Sequence, residues 1–301
     1  MSTVLPVSPV WRSILFVPAI AERFIDSALR QSADVLQLDL EDSIGPADKA
    51  RARDAAPQVA RRFADAGREV IVRVNRPWRA LVRDLEAVVC PAVTAVTLPK
   101  VPDAGHVRAV AEVLAELERE RGMRQGHTRI VVMIESSDGL ARMDEIAAAH
   151  PRVVALIVGA EDLAVDLRMA VDDDTLYLPN VMAVMAARRA GIMPLGFVGS
   201  VADYADLDEF RARIRRAHRL GFEGGFCIHP RQVAVMNEEF SPRPEELARA
   251  QALCAAFDQA QAEGRGAFSF EGRMVDLPVV EQARQLVARA ARVQALQRGP
   301  G

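Results

Sequence analysis

Lysine is nearly missing from this chain: of its 38 basic residues only Lys49 and Lys100 are lysines, and the rest are arginines. With abundant alanine this reads as compositional bias, so arginine number alone is no sign of phosphate recognition. Cysteine is scarce as well. Cys90, Cys227 and Cys254 are odd in number, far apart and set in apolar surroundings, which argues against a disulfide framework and predicts reduced, buried thiols in a cytoplasmic protein. The five histidines show no metal-ligand spacing. No apolar run approaches the ~18 residues of a membrane span, and Met1 to Val10 lacks the charged and apolar regions of a secretory signal. Neither charge sign dominates. With 41 acidic residues and a net charge of −3 there is no basic field for nucleic acid and no acidic tail. A Gly-rich phosphate loop of the type G-x-G-x-x-G is absent too, so any phosphate must be met by side chains. The expected protein is soluble and cytoplasmic, with neither nucleic acid nor membrane as partner.

What is present is a repeat of one unit: apolar run, polar tip, helical pattern. The runs are Ile14 to Val17, Val35 to Leu40, Val70 to Val74, Ala95 to Leu98, Ile130 to Ile134, Val153 to Val158, Met193 to Val198 and Gly225 to Ile228. They are short, rich in Val, Ile and Leu, and apolar at nearly every position, which suits strands buried on both faces of a parallel sheet. Eight such units predict a (β/α)8 TIM barrel, with a doubly wound open sheet as the alternative that strand counting leaves open. One barrel of typically ~250 residues fits residues 1–240 as the catalytic domain. Ser241-Pro242-Arg243-Pro244 reads as a break and a helix start. A helix to about Glu263 follows, then the break Gly264-Arg265-Gly266, an extended patch through Val275-Asp276 and a last helix from about Pro278. Residues 241–301 are therefore expected to form a small helix-hairpin-helix lid or arm.

The strand tips carry the charge. Strand two ends in Asp39-Leu40-Glu41-Asp42-Ser43, strand three in Arg73-Val74-Asn75, strand four in Pro99-Lys100, strand five in Glu135, strand six in Glu161-Asp162 and strand eight in His229-Pro230. Unpaired burial of such groups is costly, so they must pair, bind a cation or face solvent at the barrel mouth. Glu135 and Asp162 end adjacent parallel strands joined by one helical crossover, from about Asp138 to Ala149. Their carboxylates then sit as neighbours, as hard oxygen ligands of one divalent cation must. Two plainer readings stay open: that these acids cap the following helices, with which Ser136-Ser137-Asp138-Gly139 is compatible, or that the ring is a structural ion-pair network.

These tips also carry a family resemblance. Arg12-Ser13-Ile14-Leu15-Phe16-Val17-Pro18, Leu38-Asp39-Leu40-Glu41-Asp42-Ser43, Val72-Arg73-Val74-Asn75, Leu98-Pro99-Lys100, Ile134-Glu135, Gly159-Ala160-Glu161-Asp162-Leu163, Ile228-His229-Pro230 and Gly272-Arg273-Met274-Val275-Asp276-Leu277-Pro278 stand in order at the expected strand ends. The chain resembles the citrate lyase beta-subunit-like proteins of the HpcH/HpaI aldolase superfamily, which includes malyl-CoA and citramalyl-CoA lyases. The resemblance implies a Mg2+-dependent (or Mn2+-dependent) lyase that cleaves a β-hydroxyacyl-CoA to an acyl-CoA, usually acetyl-CoA, and an α-keto acid. Glu135 and Asp162 would bind the metal, and Arg73 would contact the oxygen that gains negative charge. Asp276 would be the general acid/base, on an arm that enters a neighbouring subunit of a homotrimer or hexamer.

Retro-Claisen cleavage leaves a thioester enolate, which needs fixed positive charge and a proton donor, and the residue types agree. Main-chain amides from Gly159 through Ala160 and Glu161 to Asp162, where the next helix starts, would bind the substrate carboxylate. Glu41 would orient Arg73 or a metal-bound water; Asp39 and Asp42 would do the same or stabilise the loop. For CoA, Arg12, Phe16, Arg23, Lys49 and Arg53 resemble the family's contact surface, against the plainer reading of solvated charges and a core aromatic. The chain departs from the family at Ala19, at Gly196, where many relatives have Asp, and at Gly225-Phe226-Cys227. None of these touches the four central residues, so the acyl group is put in doubt and the chemistry is not. Three readings follow: a stand-alone lyase, a citryl-CoA lyase subunit of a citrate lyase complex, and a CoA-binding protein without turnover.

Overall fold

The computed structural model describes residues 9–202, 205–263 and 268–298; the expected break at Gly264-Arg265-Gly266 lies outside them. The chain divides after Phe240 into two compact units.

In the first unit eight strands alternate with helices: β1 (Ser13–Pro18), α1 (Glu22–Leu29), β2 (Val35–Asp39), α2 (Lys49–Asp65), β3 (Glu69–Arg73), α3 (Trp78–Val88), β4 (Ala95–Leu98), α4 (Ala104–Glu120), β5 (Arg129–Ile134), α5 (Ser137–Ala141), α6 (Met143–Ala147), β6 (Val153–Val158), α7 (Ala160–Leu167), α8 (Asp173–Ala190), β7 (Met193–Leu195), α9 (Leu207–Leu220), β8 (Gly225–Cys227) and α10 (Pro230–Glu239). The strands pair in parallel in the order β7-β6-β5-β4-β3-β2-β1-β8. The circle closes between β7 and β8 through a Leu195/Gly224 bridge and the amide of Gly196 on the carbonyl of Gly224 at 2.8 Å. This is a (β/α)8 barrel, as the eight runs predict. Where a strand was expected from Met193 to Val198, β7 stops at Leu195. Gly196 and Gly199 have φ of +134° and +129°, and such backbone cannot continue a ladder. At Gly224 a Cβ would lie 1.8 Å from the carbonyl oxygen of Trp11, so only glycine lets β8 close against the start of β1. The crossover expected as one helix from Asp138 is two short ones, broken at Arg142 (φ −112°, ψ +17°).

Period-two alternation gives the barrel two apolar cores. Ile14, Val35, Ile71, Ala95, Val131, Met133, Ala155, Ile157, Met193, Leu195 and Phe226 face inward and pack with Trp11. Their strand neighbours, such as Leu15, Leu36, Val72, Val132 and Leu156, pack outward against the helices. Each fully buried aliphatic side chain stabilises by ~1.5–3 kcal/mol, so one-residue slips of register are strongly disfavoured. Cys227 is buried, and burial pushes its thiol pKa up; Cys90 and Cys254 are only half-buried, and all three are free thiols.

The second unit contains α11 (Pro244–Ala262), an antiparallel hairpin of β9 (Phe268–Phe270) and β10 (Arg273–Val275), and α12 (Leu277–Arg298). Its own core is Ala250, Leu253, Phe257, Val275, Val280 and Ala283.

Candidate active site

The inward alternation that builds the barrel core also delivers the charged groups. Along β2 the inward series Val35, Gln37 ends in Asp39; along β3, Ile71 is followed by Arg73; along β5, Val131 and Met133 lead to Glu135, one residue past the strand. Each is the last inward position before the chain turns to a helix. Glu41 and Asp42 come from the turn after β2, Lys100 from the turn after β4, and Glu161 and Asp162 from the first turn of α7. Together with Phe16, Phe197, Phe226 and Ile228 most of them line a cavity of about 730 Å³ at the C-terminal ends of the strands.

Arg73 stands opposite Asp39 in the β2–β3 register. That registry makes a two-pronged bond, Nε to Oδ1 at 2.7 Å and Nη2 to Oδ2 at 2.8 Å. Nη1 faces Glu41 Oε2 at 2.9 Å and Asp42 Oδ2 at 3.1 Å, and the guanidinium lies 4.8 Å above the Phe16 ring. Burial works to raise the Asp39 pKa, but Arg73 outweighs it and the group is held below its ordinary value. Burial likewise works against the Arg73 charge, and the surrounding carboxylates more than restore it. The arginine is thus permanently cationic and clamped. Of its three acids, Asp42 is the exposed one.

Glu135 is buried, and that burial, helped by Glu41 and Asp162, pushes its pKa up to about 7 against the stabilising amide of Lys100, which donates to Oε2 at 2.6 Å. Its side chain runs over Gly159, where any Cβ would lie 2.4 Å from it. Ser136 takes the cap of α5 by accepting from the amide of Gly139, and α7 starts from Gly159 with no side-chain cap, so neither Glu135 nor Asp162 caps the helix after it. Asp162 sits in the third position of α7 and contacts Lys100 Nζ at 3.3 Å; that ammonium also bonds Glu41 Oε1 at 2.9 Å. Among the described residues no three acid, histidine or cysteine side chains converge on one point. Hard oxygens from two carboxylates, one of them crowded by other acids, nevertheless suit Mg2+, which keeps several waters and takes one or two protein carboxylates. The first amides of α7, at Ala160, Glu161 and Asp162, have no helical partner and open on the same cavity.

The expected CoA contacts separate. Arg12 is a correction: it precedes β1 at the opposite end of the barrel, buried in a two-pronged pair with Asp34 at 2.7–2.8 Å, so it cannot reach a ligand at the mouth. Arg53 is tied to fully buried Asp84 at 2.6 Å, whose other oxygen holds Asn75. Lys49 donates to the carbonyls of Leu40 and Glu41 at 2.8 and 2.6 Å, so two of its three N–H donors brace the acidic turn. Arg23 is exposed on α1, stacked 4.5 Å above Phe24, which is itself on the cavity rim. Phe16 lines the cavity beneath Arg73. His229 caps α10 by accepting from the Arg231 amide, and Glu161 accepts from the Ser200 hydroxyl. In the second unit Asp276 is exposed at the start of α12.

Lys100 is the strand tip to which the sequence assigns no role. It is a non-glycine residue at φ +51°, a conformation that costs ~1–3 kcal/mol and persists where surroundings enforce it. A signal was available: it is one of two lysines in an arginine-biased chain.

A buried arginine and hard oxygen donors at the C-terminal ends of a (β/α)8 barrel define an enzyme site for anionic chemistry. The chain belongs to the HpcH/HpaI aldolase/citrate lyase family, whose model matches residues 12–230. It is 34% identical to L-malyl-CoA/beta-methylmalyl-CoA lyase of Cereibacter sphaeroides, over 94% of this chain and 96% of that one. Citrate lyase subunit beta of Escherichia coli is 33% identical, over 93% of each. Among solved structures, CitE from Mycobacterium tuberculosis in complex with magnesium, acetoacetate and coenzyme A superposes with a TM-score of 0.72 at 32% identity, covering 93% of this chain and 97% of that one.

Proposed function

We propose that the protein cleaves a β-hydroxyacyl-CoA of the malyl-CoA or citramalyl-CoA type to acetyl-CoA and an α-keto acid. It is a carbon–carbon lyase that acts on acyl-CoA thioesters, in keeping with relatives named for that activity along nearly the whole chain. The observation that carries the residue roles is the convergence of clamped Arg73 with Glu135 and Asp162 across one cavity.

Arg73 lies beside the oxygen that gains charge as the bond breaks; held by Asp39, it need not reorganise as the charge appears. The unpartnered amides at the start of α7 hold the substrate carboxylate. Glu135 and Asp162 would hold Mg2+, which supplies Lewis acidity and a template for the substrate's carboxylate and hydroxyl. Glu41 positions Arg73. Asp276 returns a proton to the carbon of the thioester enolate, reaching the site from a neighbouring subunit of a homotrimer or hexamer. Arg23 and Phe24 meet the CoA portion at the rim.

The test is incubation with malyl-, citramalyl- and citryl-CoA plus Mg2+, with products weighed by mass spectrometry. Acetyl-CoA with glyoxylate or pyruvate supports the proposal. Preference for citryl-CoA supports the second reading, a citryl-CoA lyase subunit, which the similar identity to citrate lyase beta subunits favours. Binding of CoA with none of the three cleaved refutes both.

A further inference from the structure

Lys100 is gripped at its backbone and loose at its tip. Its carbonyl accepts from Arg76 Nε at 3.0 Å, and its amide donates to Glu135 at 2.6 Å, which is what the left-handed φ of +51° achieves. The four-carbon stem then crosses the mouth, a third exposed, and sets the ammonium between Glu41 and Asp162. One residue therefore touches both acids of the candidate metal pair and the glutamate beside Arg73. Six carboxylates, Asp39, Glu41, Asp42, Glu135, Glu161 and Asp162, share this region with two basic side chains, Arg73 and Lys100. Asp39 is spent on Arg73 by its two-pronged bond, and Asp162 pairs with Lys100 at 3.3 Å.

We propose that Lys100 is a positioning residue that works as a tethered cation. Its main chain fixes Glu135 at all times. Its ammonium holds Asp162 to Glu41 until a divalent cation takes Asp162, and then withdraws onto Glu41. The inference rests on Glu135 and Asp162 being the metal pair. Two positive groups compete for one carboxylate, so the lysine weakens metal affinity while it keeps the acids assembled in metal-free protein. The stem is flexible enough for that exchange, whereas Arg73 is pinned by its two bonds to Asp39.

Titration calorimetry with Mg2+ on the full chain, without substrate, tests this, together with melting curves at zero and saturating Mg2+. Lys100→Met is expected to bind Mg2+ about tenfold more tightly than wild type, since a repelling charge at the site is gone. Its melting temperature should fall without metal and recover with it. Lys100→Gly keeps the amide donor and relaxes the backbone, so it should tighten binding equally, and it carries the test if Lys100→Met does not fold. Lys100→Arg, which keeps the charge, should stay near wild type. Unchanged or weaker Mg2+ binding in folded Lys100→Met or Lys100→Gly overturns the tethered-cation role alone, provided wild-type binding is lost in Glu135→Gln and Asp162→Asn. Wild-type protein that binds no Mg2+, or binds it independently of those two acids, overturns the metal pair and this inference with it.

Discussion

The two ends of the barrel treat buried charge in opposite ways. At the N-terminal end buried acids are saturated by basic partners: Arg152 forks onto Glu118 with both bonds at 2.7 Å, and the amides of Gly126 and Thr128 complete the Glu118 oxygens. Arg12 does the same with Asp34. Burial works to raise the Glu118 pKa, yet these donors win and hold it at about 2. At the mouth the acids outnumber their partners, and burial pushes Glu135 the other way, to about 7. Both ends contain forked arginines; only the mouth has acids left over. A saturated pair leaves no group free to bind, and breaking it strands a buried charge, whereas an acid surplus beside a cavity is a candidate for ligand binding.

The comparison breaks most sharply at the mouth. Asp276→Ala and Glu135→Ala are each expected to abolish turnover, and co-assembled subunits carrying one change each should regain part of it, because mixed oligomers contain some intact composite sites. No recovery in verified mixed oligomers would refute an acid and a metal pair drawn from different chains.

At the closed end the expected loss is in stability, not rate. Glu118→Ala strands Arg152 in the interior and should cost ~3–5 kcal/mol in denaturant unfolding, with kcat per folded molecule unchanged. The sign with pH is fixed by the depressed pKa. The stabilisation from Glu118 is complete above its ordinary value of 4.5 and is lost as pH falls from there toward about 2, so acid unfolding of wild type should steepen in that window and that of the variant should not. A parallel pH slope in both proteins would contradict the pairing.

Arg73→Lys asks whether the forked arginine at the mouth differs from those below. A point ammonium cannot reproduce the planar fork, and kcat should fall ~100-fold or more with a much smaller change in melting temperature. Loss of stability in proportion to activity would make Arg73 another structural pair. The smallest effect is expected at the rim. Arg23→Ala should raise KM for the acyl-CoA a few-fold at unchanged kcat, and the difference should shrink at high salt, where exposed charges are screened. A kcat effect there would place Arg23 deeper than its exposure allows.

Much of this was readable in one dimension. Strand and helix alternation announced a parallel sheet buried on both faces and predicted a barrel, but its closure between β7 and β8 was not in the strand count; the tips stood out because charge interrupts apolar runs at fixed places. Less readable were the partners. Arg12, Arg53 and Lys49 look in sequence like any basic side chain near a strand end. Their commitments to Asp34, Asp84 and the Leu40 and Glu41 carbonyls depend on which element lies alongside. The shortening of β7 was hidden for a related reason: Gly196 permits extended backbone as readily as the positive φ it adopts.

The sequence by itself determined the class of fold and the ends of the strands at which charge gathers, since both follow from local periodicity and the cost of burying ions. It also supplied Asp39, Arg73 and Glu135 as charged strand tips, because charge interrupts the apolar runs there; that they are inward positions came from the packing of the barrel. Only the tertiary structure decided how these charges are shared: that Asp39 is consumed by Arg73, that Glu135 is left crowded, and that Lys100 bends back to span Glu41 and Asp162. The reason is range. Alternation is set between neighbours along the chain, whereas an ion pair is set by whichever strand the barrel brings within 3 Å.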